Sequence, residues 1–253
     1  MQHIKSPQNH TIMIETKHLT KKFGDFVAVD DLNLSIEKGE LFSLLGLNGA
    51  GKTTTIKMLS CLILPSSGNA KILNKDLIKD SQYIKQRINV SPQETAIARN
   101  LNVQENLEMI AGIYGISKNV ISDKVEEMIT VFNLSEVRKK KARLLSGGMQ
   151  RRLSIAMALI TDPEILFLDE PTLGLDVIAR RELWNNIKKL REKTTIILTT
   201  HFLEEAEALS DRVAIIQKGR IKAIGTVAEI LNQTKTEKLE DAFVLLNGEE
   251  KTL

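Results

Sequence analysis

The chain has 253 residues, 42% of them hydrophobic and 26% charged, and a net charge of +3 from 35 Lys and Arg against 32 Asp and Glu. That balance excludes a disordered chain, and with Cys61 as the single cysteine it excludes a disulfide scaffold and suits a reducing compartment, the cytoplasm by default. Both signs of charge are interspersed, which argues against a nucleic-acid partner.

In chain order, residues 1–11 form a polar extension unlike a secretory signal. Residues 12–45 read as strands: Leu32, Leu34 and Ile36 alternate with polar neighbours, and residues 41–45 are an apolar run suited to a buried strand. A glycine loop, residues 46–51, breaks the pattern before helical character resumes over residues 52–62. From about 94 to 160 the pattern is helical only, with Val103, Leu107, Ile110, Ala111 and Tyr114 on one face and Ile121, Val125, Met128, Ile129 and Phe132 on another. Arg138, Lys139, Lys140, Lys141 and Arg143 within it read as a solvated basic loop.

Strand candidates at 165–168, 195–198 and 213–216 then alternate with helical stretches near 177–192 and 202–209, the mark of a mostly parallel wound sheet. Residues 226–253 form a short polar tail in which Leu239, Phe243 and Leu246 define one dockable helical face. No stretch approaches the roughly 18 uninterrupted apolar residues of a spanning helix, so the chain is expected not to cross a membrane.

Gly46, Leu47, Asn48, Gly49, Ala50, Gly51, Lys52 and Thr53, followed by Thr54, satisfy the phosphate-loop pattern between a strand and a helix. Glycines let backbone N–H groups approach phosphates at a helix N-terminus, Lys52 reaches the β and γ phosphates, and Thr53 offers a hydroxyl to Mg²⁺. Asp169 and Glu170 end an apolar strand, where an α/β sheet presents its ligand groups. Such a pair on its own commonly caps a helix. Beside a phosphate loop it supplies a metal-side carboxylate, Asp169, and a group that orients the attacking water, Glu170.

Leu145, Ser146, Gly147, Gly148, Met149 and Gln150 resemble the LSGGQ signature of ABC ATPases, with Met149 at its fifth position. Phe23 lies where that family places an adenine-stacking aromatic, usually tyrosine. Gln93 resembles the Q-loop glutamine, Leu175-Asp176 the D-loop, and His201 the switch histidine. The resemblance spans about residues 12–225 and implies an α/β fold: a P-loop NTPase core with a mostly parallel sheet, an N-terminal antiparallel β subdomain, and an α-helical subdomain inserted at about 94–160, followed by the 226–253 tail.

It further implies ATP and Mg²⁺ as ligands, with Thr53, Gln93 and Asp169 on the metal and Lys52, Gln93, Glu170 and His201 in catalysis. A head-to-tail homodimer would sandwich each ATP between one phosphate loop and the Ser146, Gly147, Gly148 and Asp176 surface of the other subunit. An integral membrane permease would bind the segment after Gln93, placing the ATPase peripherally on the cytoplasmic face of the membrane. The phosphate loop, the run from Asp169 to Asp176 and the tail Leu239-Glu240-Asp241-Ala242-Phe243 resemble the ATPases of multidrug and antibiotic exporters of the ABC-2, or daunorubicin-resistance, type. The alternative within the family is a soluble ATPase acting on ribosomes or DNA.

Overall fold

A computed structural model of the chain describes residues 11–190 and 193–248. Residues 1–10 of the expected extension, 191–192 of the expected helix and 249–253 of the expected tail lie outside them. Strands β1 (Ile12–Phe23) and β2 (Phe26–Glu37) form a long antiparallel hairpin, and the alternation read in β2 buries Leu32, Leu34 and Ile36. β4 (Ser67–Ile72) pairs with the other edge of β1, and β5 (Lys75–Asp76) pairs with β4, giving a four-stranded antiparallel sheet in the order β2-β1-β4-β5.

The second sheet has six strands: β10 (Arg220–Gly225), β9 (Arg212–Gln217), β3 (Leu41–Leu45), β8 (Thr195–Thr200), β7 (Ile165–Asp169) and β6 (Ile88–Ser91), in that order. All neighbours are parallel except β9 and β10. β3, β7 and β8 are buried along their whole length, as expected of parallel strands covered on both faces. Their successive side chains serve opposite layers. Leu41, Leu166 and Ile196 join one apolar cluster, while Phe42, Phe167 and Ile197 join another.

The first cluster contains side chains of α3 (Val103–Ile113), α4 (Lys118–Val131), α5 (Gly147–Leu159) and α6 (Val177–Leu190), including Leu107, Phe132, Leu153 and Leu183. The helical stretch between β6 and β7 therefore shares a core with the sheet. α3 opens with a capping box in which Asn102 accepts from the Glu105 N–H and Glu105 accepts from the Asn102 N–H. Within the basic stretch, Arg138 donates to Gln104 Oε1 at 2.8 Å and pairs with Glu126 on α4. The second cluster holds Ile56 and Met58 of α1 (Lys52–Leu59) together with Ile84 of α2 (Ser81–Lys85) and the antiparallel sheet.

A third cluster joins Leu45, Val213, Ile215 and Ala223 to Ala206 of α7 (Leu203–Leu209), Ile230 of α8 (Val227–Thr234), and Leu239 and Ala242 of α9 (Leu239–Gly248). Phe243 and Leu246 pack against it. Helices α8 and α9 are thus folded back on the sheet edge.

In the parallel register, Leu45 faces Thr200 and Asp169 faces Thr199, so the chain leaves β3, β7 and β8 at one common edge. That edge is where wound sheets bind ligands. The β9–β10 turn supports it from the side. Gly219 donates its N–H to Ala50 O at 2.9 Å and accepts from the Asp30 N–H at 2.9 Å. It sits at φ +79, and an added Cβ would meet Ala28 O at 2.8 Å. Replacing Gly219 with Ala is expected to lower stability by about 2 kcal/mol in equilibrium urea unfolding. ATP affinity should weaken with it, because the turn buttresses the phosphate loop; unchanged stability would show that the loop and turn move together at no cost.

Candidate active site

The loop after β3 wraps the start of α1 and forms a cavity of about 410 Å³. Asn48, Gly49, Ala50, Gly51, Lys52, Thr53 and Thr54 line it from one side. Gln93, Glu170, Leu173 and His201 line the other, with Phe26 and Ala28 from β2. Gly51 has φ +104, and any Cβ there would fall 2.4 Å from Ala28 O, so the turn that opens α1 accepts only glycine. The first N–H groups of α1 lack intrahelical acceptors and carry the positive end of the helix dipole into the cavity.

Lys52 is 5% exposed and uses all three ammonium protons. It donates to Gly46 O at 2.7 Å and Leu47 O at 3.2 Å, and pairs with Glu170 Oε1 at 3.1 Å. Glu170 is 6% exposed and meets His201 Nδ1 through its other oxygen at 2.8 Å. Its backbone sits in the left-handed region at φ 47. Asp169 is engaged from two sides: Thr53 Oγ1 donates to it at 2.9 and 3.1 Å, and Thr199 Oγ1 donates to Oδ1 at 2.5 Å. Thr199 Oγ1 also accepts the Glu170 N–H at 3.0 Å, which fixes the turn between the two carboxylates.

The Thr53 hydroxyl, on the cavity wall, and the buried Asp169 carboxylate bonded to it form a hard-oxygen pair. This suits Mg²⁺, which is commonly held by one or two protein oxygens together with substrate phosphates. Among the described residues no group of three or more His, Cys, Asp or Glu could hold a metal ion.

Behind the cavity, Arg151 of α5 is buried beneath the Asp169–Glu170 turn. Its guanidinium donates to the carbonyls of Asp169 at 2.7 Å, Pro171 at 2.9 Å, Gln93 at 3.3 Å, and Pro92. Burial lowers its pKa to about 10, against the pull of Asp169, Glu205 and Glu170, so it stays charged at neutral pH. Glu205 of α7 is fully buried and accepts the Trp184 indole N–H at 3.0 Å.

A family model for the ABC transporter matches residues 29–173, more than half of the chain. The chain belongs to the ABC transporter family. It is an ABC ATPase, 40% identical over 240 residues to the Escherichia coli protein named probable multidrug ABC transporter ATP-binding protein YbhF, a match covering 92% of this chain and 41% of YbhF. It is 39% identical over 221 residues to the daunorubicin/doxorubicin resistance ATP-binding protein DrrA of Streptomyces peucetius, covering 87% of this chain and 67% of DrrA. The human phospholipid-transporting ATPase ABCA3 is 41% identical over 224 residues, with 87% of this chain and 13% of ABCA3 covered. The chain therefore spans less than half the length of YbhF and about an eighth of ABCA3.

Two solved structures share its fold. One, an ATP-binding subunit of an ABC transporter, superposes with a TM-score of 0.83 at 29% identity, covering 92% of this chain and 99% of that one. The other is the dimeric ATP-binding cassette MJ0796 in a post-hydrolysis state bound to ADP and Pi, with a TM-score of 0.76 at 27% identity over 85% of this chain and 99% of that one.

Not every expected residue of this ABC ATPase lines the cavity. Phe26 stands on its wall, while Phe23 lies across the hairpin turn outside it, half exposed with Lys21 Nζ 5.0 Å above the ring. Phe26 shares a strand face with Ala28, which abuts Gly51, and Phe23 ends β1 on the other side of the turn. Gly46 and Leu47 contribute carbonyls to Lys52 from behind the loop.

Ser146, Gly147, Gly148 and Asp176 lie away from the cavity wall. Ser146 caps α5 by accepting the Met149 N–H, and Asp176 Oδ1 accepts the N–H groups of Ile178 and Ala179 at the start of α6. The sequence reading missed Phe26, Ala28, Leu173 and Arg151, whose roles depend on partners distant in the chain.

Burial pushes the Glu205 carboxyl above its ordinary range. The folded chain then holds that proton to higher pH than the unfolded one, so stability falls as pH rises from about 4 through the raised value. Replacing Glu205 with Gln keeps an oxygen for Trp184 and removes the charge. The variant should match the parent in thermal unfolding at about pH 4 and exceed it at neutral pH; a gap independent of pH would show that Glu205 is not the group being titrated.

Proposed function

We propose that this chain is the ATP-hydrolysing subunit of an exporter, powering a separate membrane permease from the cytoplasmic face of the membrane. The observation that carries the reading is the convergence of Lys52, Thr53, Glu170, His201 and Gln93 on one cavity at the common end of β3, β7 and β8, with Asp169 buried next to it and bonded to Thr53. ATP enters as substrate. Its phosphates replace the Glu170 carboxylate as the partner of Lys52, leaving Glu170 to orient the attacking water while His201 steadies the carboxylate and contacts the γ-phosphate. Thr53 and Asp169, with Gln93, would hold Mg²⁺, which when bound would supply charge neutralisation on the phosphates.

The Ser146–Gly148 turn supports a head-to-tail homodimer. It opens the 13-residue helix α5, a second anion-type helix start, yet stands outside the cavity of its own subunit. Phosphates bound by a second copy are its natural ligand. No helix among the described residues is long and apolar enough to cross a membrane. The names of YbhF and DrrA support export of drug-like compounds.

Lys52→Ala should weaken MgATP binding about 10- to 100-fold in calorimetric titration, the loss expected for a buried charge-assisted contact. Unchanged affinity would count against the phosphate-loop role. Glu170→Gln should retain nucleotide, lose about 100-fold or more in turnover, and elute as an ATP-bound dimer in gel filtration. Steady-state hydrolysis at the parent rate would sink the Glu170 assignment. A multispan membrane protein should co-purify with the tagged chain in mild detergent; ribosomal or DNA-associated proteins instead would overturn the permease partnership.

A further inference from the structure

Gln93 and Glu170 stand on loops more than seventy residues apart in sequence, one after β6 and one after β7, and neither loop forms a regular backbone ladder with the other. Both end at one side chain. Arg151 Nη2 donates to Asp169 O at 2.7 Å and Nε to Pro171 O at 2.9 Å, so the guanidinium grips the Glu170 loop on either side of the carboxylate. Nη1 donates to Pro92 O and, at 3.3 Å, to Gln93 O. Arg151 itself is 4% exposed.

The planar guanidinium carries five donors in a fixed fork, which lets one side chain hold four carbonyls on two loops in a set geometry. A lysine ammonium, a compact point charge on a flexible stem with three donors, does not reproduce that span. A buried cation is costly unless compensated, and here the compensation is the backbone of both loops together with the Asp169 and Glu170 carboxylates in front of it.

We propose that Arg151 is a positioning residue for hydrolysis, fixing the Gln93 loop and the Glu170 loop at one separation by bonding both to a single guanidinium. The inference rests on the roles given above to Gln93 and Glu170. Arg151 does not touch the cavity, so it acts on turnover through these two residues and leaves ATP binding to Lys52 and the phosphate loop.

The test compares steady-state MgATP hydrolysis by R151K, R151M, Q93A and the double variant R151M/Q93A in the full chain. R151M should lower kcat about 10- to 100-fold, the scale of a misplacement near 1 Å, with KM changed less than about threefold. R151K, which keeps the charge and the buried stem, guards against simple unfolding and should lose nearly as much. In the Q93A background the R151M substitution should cost a smaller factor than in the parent, because only its hold on the Glu170 loop is then left to lose.

Unchanged kcat in R151K and R151M would overturn the proposal, as would a loss of the same factor with and without Gln93, or a loss confined to KM. If R151M does not fold, R151K and R151K/Q93A decide on the same criteria. Normal turnover by R151K and R151M while E170Q is inactive removes only this inference; normal turnover by E170Q and Q93A removes the roles beneath it.

Discussion

Two adjacent carboxylates buried at the end of one strand set the terms for everything around them. Asp169 and Glu170 are each less than a tenth exposed, and neither ionised carboxylate can be kept there without partners. The fold supplies them from separate directions: the Thr53 and Thr199 hydroxyls for Asp169, Lys52 and His201 for Glu170, and the Arg151 guanidinium from behind. The five partners come from four elements, so α1, β8, the loop after β8, and α5 are all held to the end of β7 by charge as well as by apolar packing. A chemically active site and a structural anchor are here the same group of atoms.

The packing explains why these partners arrive in register. β3, β7 and β8 are flanked by apolar clusters on both faces, and the parallel pairing aligns their last residues. The helices α3 to α5 are not an appendage, for Leu107, Phe132 and Leu153 share a cluster with Leu166 and Leu198 of the sheet. A shift of α5 is therefore felt at β7.

Much of this was legible in the sequence, for identifiable reasons. The central strands announce themselves as short apolar runs because both faces are covered, and the phosphate loop has a local pattern because its chemistry is local. β4, β5, β6 and β10 were not read, and their segments are short or mixed in polarity: β6 is only Ile-Asn-Val-Ser, and β10 interleaves Lys222 and Arg220 with its apolar residues. What makes them strands is the neighbour each pairs with, which local composition does not carry. The same holds at the site. Phe26 joins the cavity wall because its arm of the hairpin runs past Gly51, and Arg151 resembles any other basic residue on a helix until its four carbonyl partners are brought to it.

The left-handed backbone of Glu170 has an evolutionary side. A side chain at φ 47 costs about 1 kcal/mol relative to glycine, and the carboxylate it carries must also be compensated in a buried setting. Selection for a sturdier protein and selection for a faster one thus favour different residues at this position. A stability-guided redesign that treats all sites alike would drift toward replacing the very residue the enzyme needs, so thermostabilising changes belong on the helices remote from the end of β7.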